Sequence, residues 1–120
     1  MAGQRGTDAA VGRAARGFGL LVLLLVLRLP AHAANPDIVI TIRNHAFVPT
    51  DVPVPAGQKL KLIIKNEGAT TSEFESVGFH REKIVQAGRE ITVFVGPLSP
   101  GRYEFFDDFH PETRGRLIAH

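Results

Sequence analysis

From Asp37 to Ala119 apolar residues recur at every second position, in short runs separated by Gly, Pro and Asn. Ile38, Ile40 and Ile42 alternate with Val39 and Thr41, the period of a strand with one buried face. Asn44 to Pro49 bends the chain, and Val52 and Val54 begin a second strand. Pro53 and Pro55 confine that strand to a sheet edge or a bulge, because proline cannot donate to the ladder. After the turn at Ala56-Gly57, Leu60, Leu62 and Ile64 share one face of a strand that stops at Asn66-Glu67-Gly68. Thr71 to Ser76 predicts another, with Phe74 facing opposite to Glu73 and Glu75. Val77 to Ala87 has no clear period and reads as a loop with one helical turn near His80-Arg81-Glu82-Lys83. Glu90 to Val95 is β-branched and aromatic, as strands are. A Pro100-Gly101 turn then leads into Tyr103-Glu104-Phe105-Phe106, and Leu117-Ile118-Ala119 closes the chain.

Seven or eight short strands at regular spacing, with no amphipathic helix among them, predict an all-β sandwich forming one domain. Alternating strands bury one face against a second sheet about 10 Å away.

The first 33 residues follow a different pattern. Arg5, Arg13 and Arg16 precede an apolar run from Phe18 to Leu29, and Pro30-Ala31-His32-Ala33 has the small-x-small form of a secretory cleavage site. The run is shorter than the roughly 20 residues that span a bilayer. Residues 1–33 therefore predict a signal peptide cleaved after Ala33, and 34–120 an exported, periplasmic domain; an uncleaved anchor is the alternative. Removing the leader leaves 10 basic and 11 acidic residues, so the domain is nearly neutral and carries no basic stripe for nucleic acid. The chain has no cysteine, which excludes disulfides and any thiolate metal site.

The candidate chemistry gathers after the aromatic strand. Asp107, Asp108, His110 and Glu112 crowd one loop flanked by Phe105, Phe106 and Phe109. Close carboxylates repel unless a cation neutralises them. Carboxylate and imidazole are ligands for divalent and trivalent metals; the bland alternative is an acidic, hydrated loop without metal. Glu73 and Glu75, at i and i+2, point together either to a site or to water, and strand position alone favours water. His45 and His80 read as surface residues. Ser72, Ser76 and Ser99 sit in no nucleophile elbow, so no catalytic residue is assigned.

These residues resemble the cupredoxin family. Lys65-Asn66-Glu67-Gly68 is similar to the strand end that precedes the family's first copper-binding His, and Tyr103 to Phe106 to the strand before its last loop. The resemblance implies a Greek-key β-sandwich over Asp37 to Ala119, with Glu73 near the first His, Asp107 in place of Cys and His110 as the second His. Thr113 or Arg114 falls near the Met position and Gly115 on the glycine that opens the last strand. Without the Cys, a blue-copper centre is not expected.

Glu73-Phe74-Glu75-Ser76, Arg81-Glu82-Lys83 and Gly96-Pro97-Leu98 to Phe109-His110 look more specifically like the cupredoxin-like domain of Efe/Ftr-type periplasmic iron-transport proteins. That likeness implies a copper or iron ion held by Glu73, Asp107 and His110, with Glu75 or Asp108 as a further ligand or hydrogen-bond partner. It also implies an accessory or redox partner in ferrous iron uptake, working with an iron permease and at most a weak Fe(II) oxidase. A copper or iron chaperone without redox chemistry, and a metal-free interaction module, are the alternatives.

Overall fold

The computed structural model describes residues 2–4, 6, 12, 16–17, 19–29 and 35–120. The chain forms two separate units, residues 1–31 and 32–120. The described residues of the first unit lie in no helix or strand, and Leu20 to Leu29 are exposed. Among the described residues no helix is long and apolar enough to cross a membrane. The cleavage-site stretch Pro30 to Ala33 lies outside the described residues.

The described residues of the second unit form nine strands: β1 (Ile38–Arg43), β2 (Ala46–Val48), β3 (Asp51–Val54), β4 (Leu60–Asn66), β5 (Ser72–Ser76), β6 (Arg81–Val85), β7 (Glu90–Val95), β8 (Gly101–Asp107) and β9 (His110–Ala119). They form one sheet in the order β2-β1-β4-β7 and a second in the order β3-β9-β8-β5-β6. The alternation read from the sequence sets the inner faces. Ile40, Ile42, Leu60, Leu62, Ile64, Val93 and Val95 of the first sheet are buried with Val52, Val54, Phe74, Phe105 and Leu117 of the second. Val39 and Phe94, one position out of phase, face solvent. Strand β3 is an edge strand, paired only with β9, where Pro53 is tolerated.

Two expectations change. Residues 81–85 form β6 and not a helical turn, pairing with β5 through Ser72↔Val85 to Ser76↔Arg81. The apolar period is missing there because β6 buries only Val85. Its Arg81 Nε donates to the Phe94 carbonyl at 2.7 Å and its Lys83 Nζ to the Thr92 carbonyl at 3.1 Å. These long side chains reach from the edge of one sheet to the edge of the other, β7, where alternating apolar residues would otherwise be needed. The second change is at the acidic loop. Asp108-Phe109 is a tight turn between β8 and β9, and β9 begins at His110, not at Gly115, where the resemblance opened the last strand.

The core is centred on Phe105, whose ring meets Phe47 edge-on at 4.9 Å and Phe74 at 5.2 Å between centroids. Its neighbour across the ladder is Gly115. A Cβ on Gly115 would lie 2.5 Å and 2.6 Å from Phe105 ring carbons and 2.9 Å from the Thr50 carbonyl. Glycine is needed here for closeness of approach. Gly115→Ala should therefore destabilise the domain by about 1–3 kcal/mol through overpacking, read as a lowered denaturation midpoint.

Candidate functional site

At one end of the sandwich the inward alternation continues into polar residues. On β8 the buried series Phe105, Asp107 replaces an apolar residue by a carboxylate, and on β5 and β9 the same layer holds Ser72 and Thr113, all buried. Asp107 has its hydrogen bonds inside the protein. Its Oδ1 accepts the backbone N–H of Glu73 at 3.0 Å and that of Phe109 at 3.0 Å, and its Oδ2 lies 2.9 Å from His110 Nδ1. Burial opposes ionisation of this carboxyl. The Ser72 hydroxyl, the Glu73 N–H, His110 and the Phe109 N–H outweigh burial and hold its pKa below the usual carboxylate range.

The strand end before this layer is clamped by Asn66, which is buried. Its Nδ2 donates to the carbonyls of Thr70 at 2.8 Å and Val85 at 3.0 Å, and its Oδ1 accepts the Gly68 N–H at 2.9 Å. One amide thus holds the 67–71 loop and the end of β6, and so delivers Ser72 to Asp107. A cleft of ≈ 470 Å³ opens beside this layer, lined by His45, Asn66, Thr70, Ser72, Asp107 and His110 among others.

The predicted ligand set divides in two. Asp107 and His110 come together as expected, but Glu73 does not join them. Its backbone N–H binds Asp107, while its side chain projects from the other face of β5, because neighbouring positions on a strand point oppositely. Ser72 takes the inward place that the resemblance implied for Glu73. Glu73 lies instead with Glu75 and Asp108, carboxylate oxygens of the three within 4.8 Å of one another. Glu82 completes this outer group, directly opposite Glu75 in the β5–β6 register. The Asp108 N–H donates to the Glu73 carbonyl at 2.9 Å, which holds the turn beside the strand.

The outer group is electrostatically crowded. A carboxyl–carboxyl hydrogen bond with Glu82, then burial, then the charges of Glu82, Asp108 and Glu75 raise the Glu73 pKa from 4.5 to about 7. Burial first, then Asp108 and Glu82, raise that of Glu75.

The residues do not fit a thiolate copper centre. Asp107 and His110 stand where the resemblance implies the Cys and the second His; Ser72, not Glu73, takes the inward place of the first His, and of Thr113 and Arg114 it is Thr113 that is buried. The Asp107 carboxylate is taken up by the Glu73 and Phe109 N–H groups and by His110, and Thr113 Oγ1 donates to the His45 carbonyl at 2.8 Å. Of Ser72, Asp107, His110 and Thr113, only the imidazole keeps a free strong donor atom, Nε2, since Nδ1 is engaged by Asp107.

Two outcomes follow. Asp107→Ala leaves the Glu73 and Phe109 N–H groups without their acceptor and should cost about 2–4 kcal/mol in denaturant unfolding, from an unsatisfied-donor penalty of roughly 1–3 kcal/mol each. For Glu73 the folded pKa lies above the unfolded one, so its contribution is fully present below about 4.5 and lost as pH rises through about 7. Thermal melts of Glu73→Gln should accordingly fall less between pH 5 and pH 8 than those of the unmutated protein.

Comparison with known proteins agrees with this architecture. Residues 17–119 match the family model of the cupredoxin-like domain. An uncharacterized protein of Rickettsia prowazekii (strain Madrid E) is 49% identical over 82 residues, a match covering 68% of this chain and 66% of that protein's length. Among solved structures, an oxidized mutant of amicyanin superposes with a TM-score of 0.59 at 17% identity, covering 75% of this chain and 88% of that one. Amicyanin from Paracoccus versutus gives 0.58 at 16% identity, covering 75% and 87%. A purple cupredoxin from Nitrosopumilus maritimus gives 0.55 at 18%, covering 70% of this chain and 100% of that one. At these identities the structures show a shared fold. Nine strands in two sheets and a family match over most of its length make this chain a member of the cupredoxin-like domain family.

Proposed function

We propose that this protein is an exported, periplasmic metal-binding protein that serves ferrous iron uptake beside an iron permease, as a redox partner or a weak Fe(II) oxidase. The reading is supported by one observation above the rest: Glu73, Glu75 and Asp108 bring carboxylate oxygens within 4.8 Å of one another on an outer sheet face. At neutral pH such a group relieves its repulsion by keeping a proton or by taking up a cation. The Glu73 pKa, raised to about 7 by its neighbours, is in keeping with a group that partly retains its proton at neutral pH when no cation is bound.

Oxygen donors suit hard cations, so iron fits this face better than Cu(I). Anionic oxygen ligands favour the ferric state, which makes bound Fe(II) easier to oxidise, one electron passing from each Fe(II) to dioxygen or to an oxidised partner protein. The cupredoxin-like fold is consistent with a metal-binding or electron-transfer role, and the leader-like first 33 residues support export. Asp108 is exposed, and an open site of this kind also suits a chaperone that hands iron or copper on without redox change.

Anaerobic calorimetric titration with Fe(II) at pH 7 should show near-stoichiometric binding. The double substitution Glu73→Gln, Glu75→Gln should weaken it at least tenfold, about 1.4 kcal/mol. Equal affinity in the two proteins would reject the carboxylate face. Fe(II) that oxidises in air no faster with the protein than in buffer would reject the oxidase role and leave the chaperone.

A further inference from the structure

A second donor group lies on the other side of Asp107. The rings of His45 and His110 stand 5.6 Å apart between centroids, tilted by 55°, and both line the ≈ 470 Å³ cleft. That separation is close to the spacing of two imidazoles on one ion. With metal–nitrogen bonds near 2.0–2.1 Å, two imidazoles on one ion place their centroids about 5–5.5 Å apart at tetrahedral or trigonal angles.

The two rings are presented by different devices. His110 sits at the start of β9, and its Nδ1 donates to Asp107 Oδ2 at 2.9 Å. The carboxylate accepts that proton, which fixes the tautomer and leaves the Nε2 lone pair free. A carboxylate behind an imidazole is how proteins commonly orient a metal-binding histidine. His45 sits in the two-residue turn joining β1 to β2, where Asn44 and His45 have φ of 51° and 57° between the paired residues Arg43 and Ala46. A turn with both central residues in the left-handed region prefers glycine at its second position. Here it carries a histidine, and the turn is tied to β9 by the bond from Thr113 Oγ1 to the His45 carbonyl at 2.8 Å. Nothing in the strand pattern requires an imidazole at that position, and glycine would suit the backbone better.

We propose that His45 and His110 together bind one divalent transition-metal ion, Cu(II) by preference, at a site separate from the outer carboxylates. Imidazole nitrogen suits Cu, Zn and Ni, and Cu(II) stands at the top of the divalent affinity series. Ser72, Asp107 and Thr113 support the pair through hydrogen bonds and stay off the metal. The site does not depend on iron binding by Glu73, Glu75 and Asp108.

The test is Cu(II) titration of the full chain by calorimetry, with electron paramagnetic resonance at one equivalent, for the unmutated protein, His45→Gly and Glu73→Gln. Glycine matches the left-handed backbone at position 45, so His45→Gly should melt at the same temperature or higher, and a loss of binding cannot be ascribed to unfolding. The expected result is at least tenfold weaker Cu(II) binding in His45→Gly, one fewer nitrogen in the superhyperfine pattern, and no change in Glu73→Gln. Unchanged affinity and spectrum in His45→Gly would overturn the proposal, as would a loss confined to Glu73→Gln. Failure of Fe(II) to bind, with the Cu(II) result intact, would reject the carboxylate reading alone.

Discussion

The buried carboxylate of Asp107 decides the layout of this end of the molecule. A charge in that position is tolerable only if surrounding donors replace the water it has lost. The donors come from Ser72 and Glu73 of β5, from Phe109 in the turn and from His110 at the head of β9. Satisfying one side chain thus joins three strands, sets the tightness of the β8–β9 turn and aims an imidazole. The two faces of Asp107's surroundings then differ in character. Inward lie a hydrogen-bonded polar layer and the cleft with its paired imidazoles; outward lies a patch of carboxylates.

The resemblance implies a Cys where this chain has Asp107. A thiolate would be a strong, soft metal donor. Asp107 is similar in size but harder, and its oxygens are spent on N–H and O–H groups of the protein itself. Phe105 over Gly115 and the Asn66 clamp are packing and hydrogen-bond arrangements that need no metal to persist. The scaffold can therefore hold its loop geometry in the metal-free protein.

Much of this was legible from alternation. Ile40 and Ile42, Leu60, Leu62 and Ile64, and Phe105 are buried as their periods require, and Pro53 marks an edge strand. The same rule places Glu73 and Glu75 opposite to Phe74, yet similarity to the family's first ligand pulled Glu73 towards Asp107. Parity within the strand prevailed: shifting by one residue would have put Phe74 in water. Strand β6 was hidden because it contributes a single buried residue. The nearness of His45 to His110 spans 65 positions and arises from two turns meeting at one end of a sandwich, which no local pattern records.

The parity of β6 also keeps the two cations that flank Glu82 in the chain off the face that carries the carboxylate patch. Arg81 and Lys83 flank Glu82 in the chain, and on a flexible loop they would fold back upon it. Extended pairing turns them to the opposite side, where they hold the carbonyls of Phe94 and Thr92. The contacts that fasten the open flank of the sandwich are therefore the ones that hold Arg81 and Lys83 away from Glu73, Glu75 and Glu82. A strand that seals one edge of the sandwich with its cations leaves its outward face acidic.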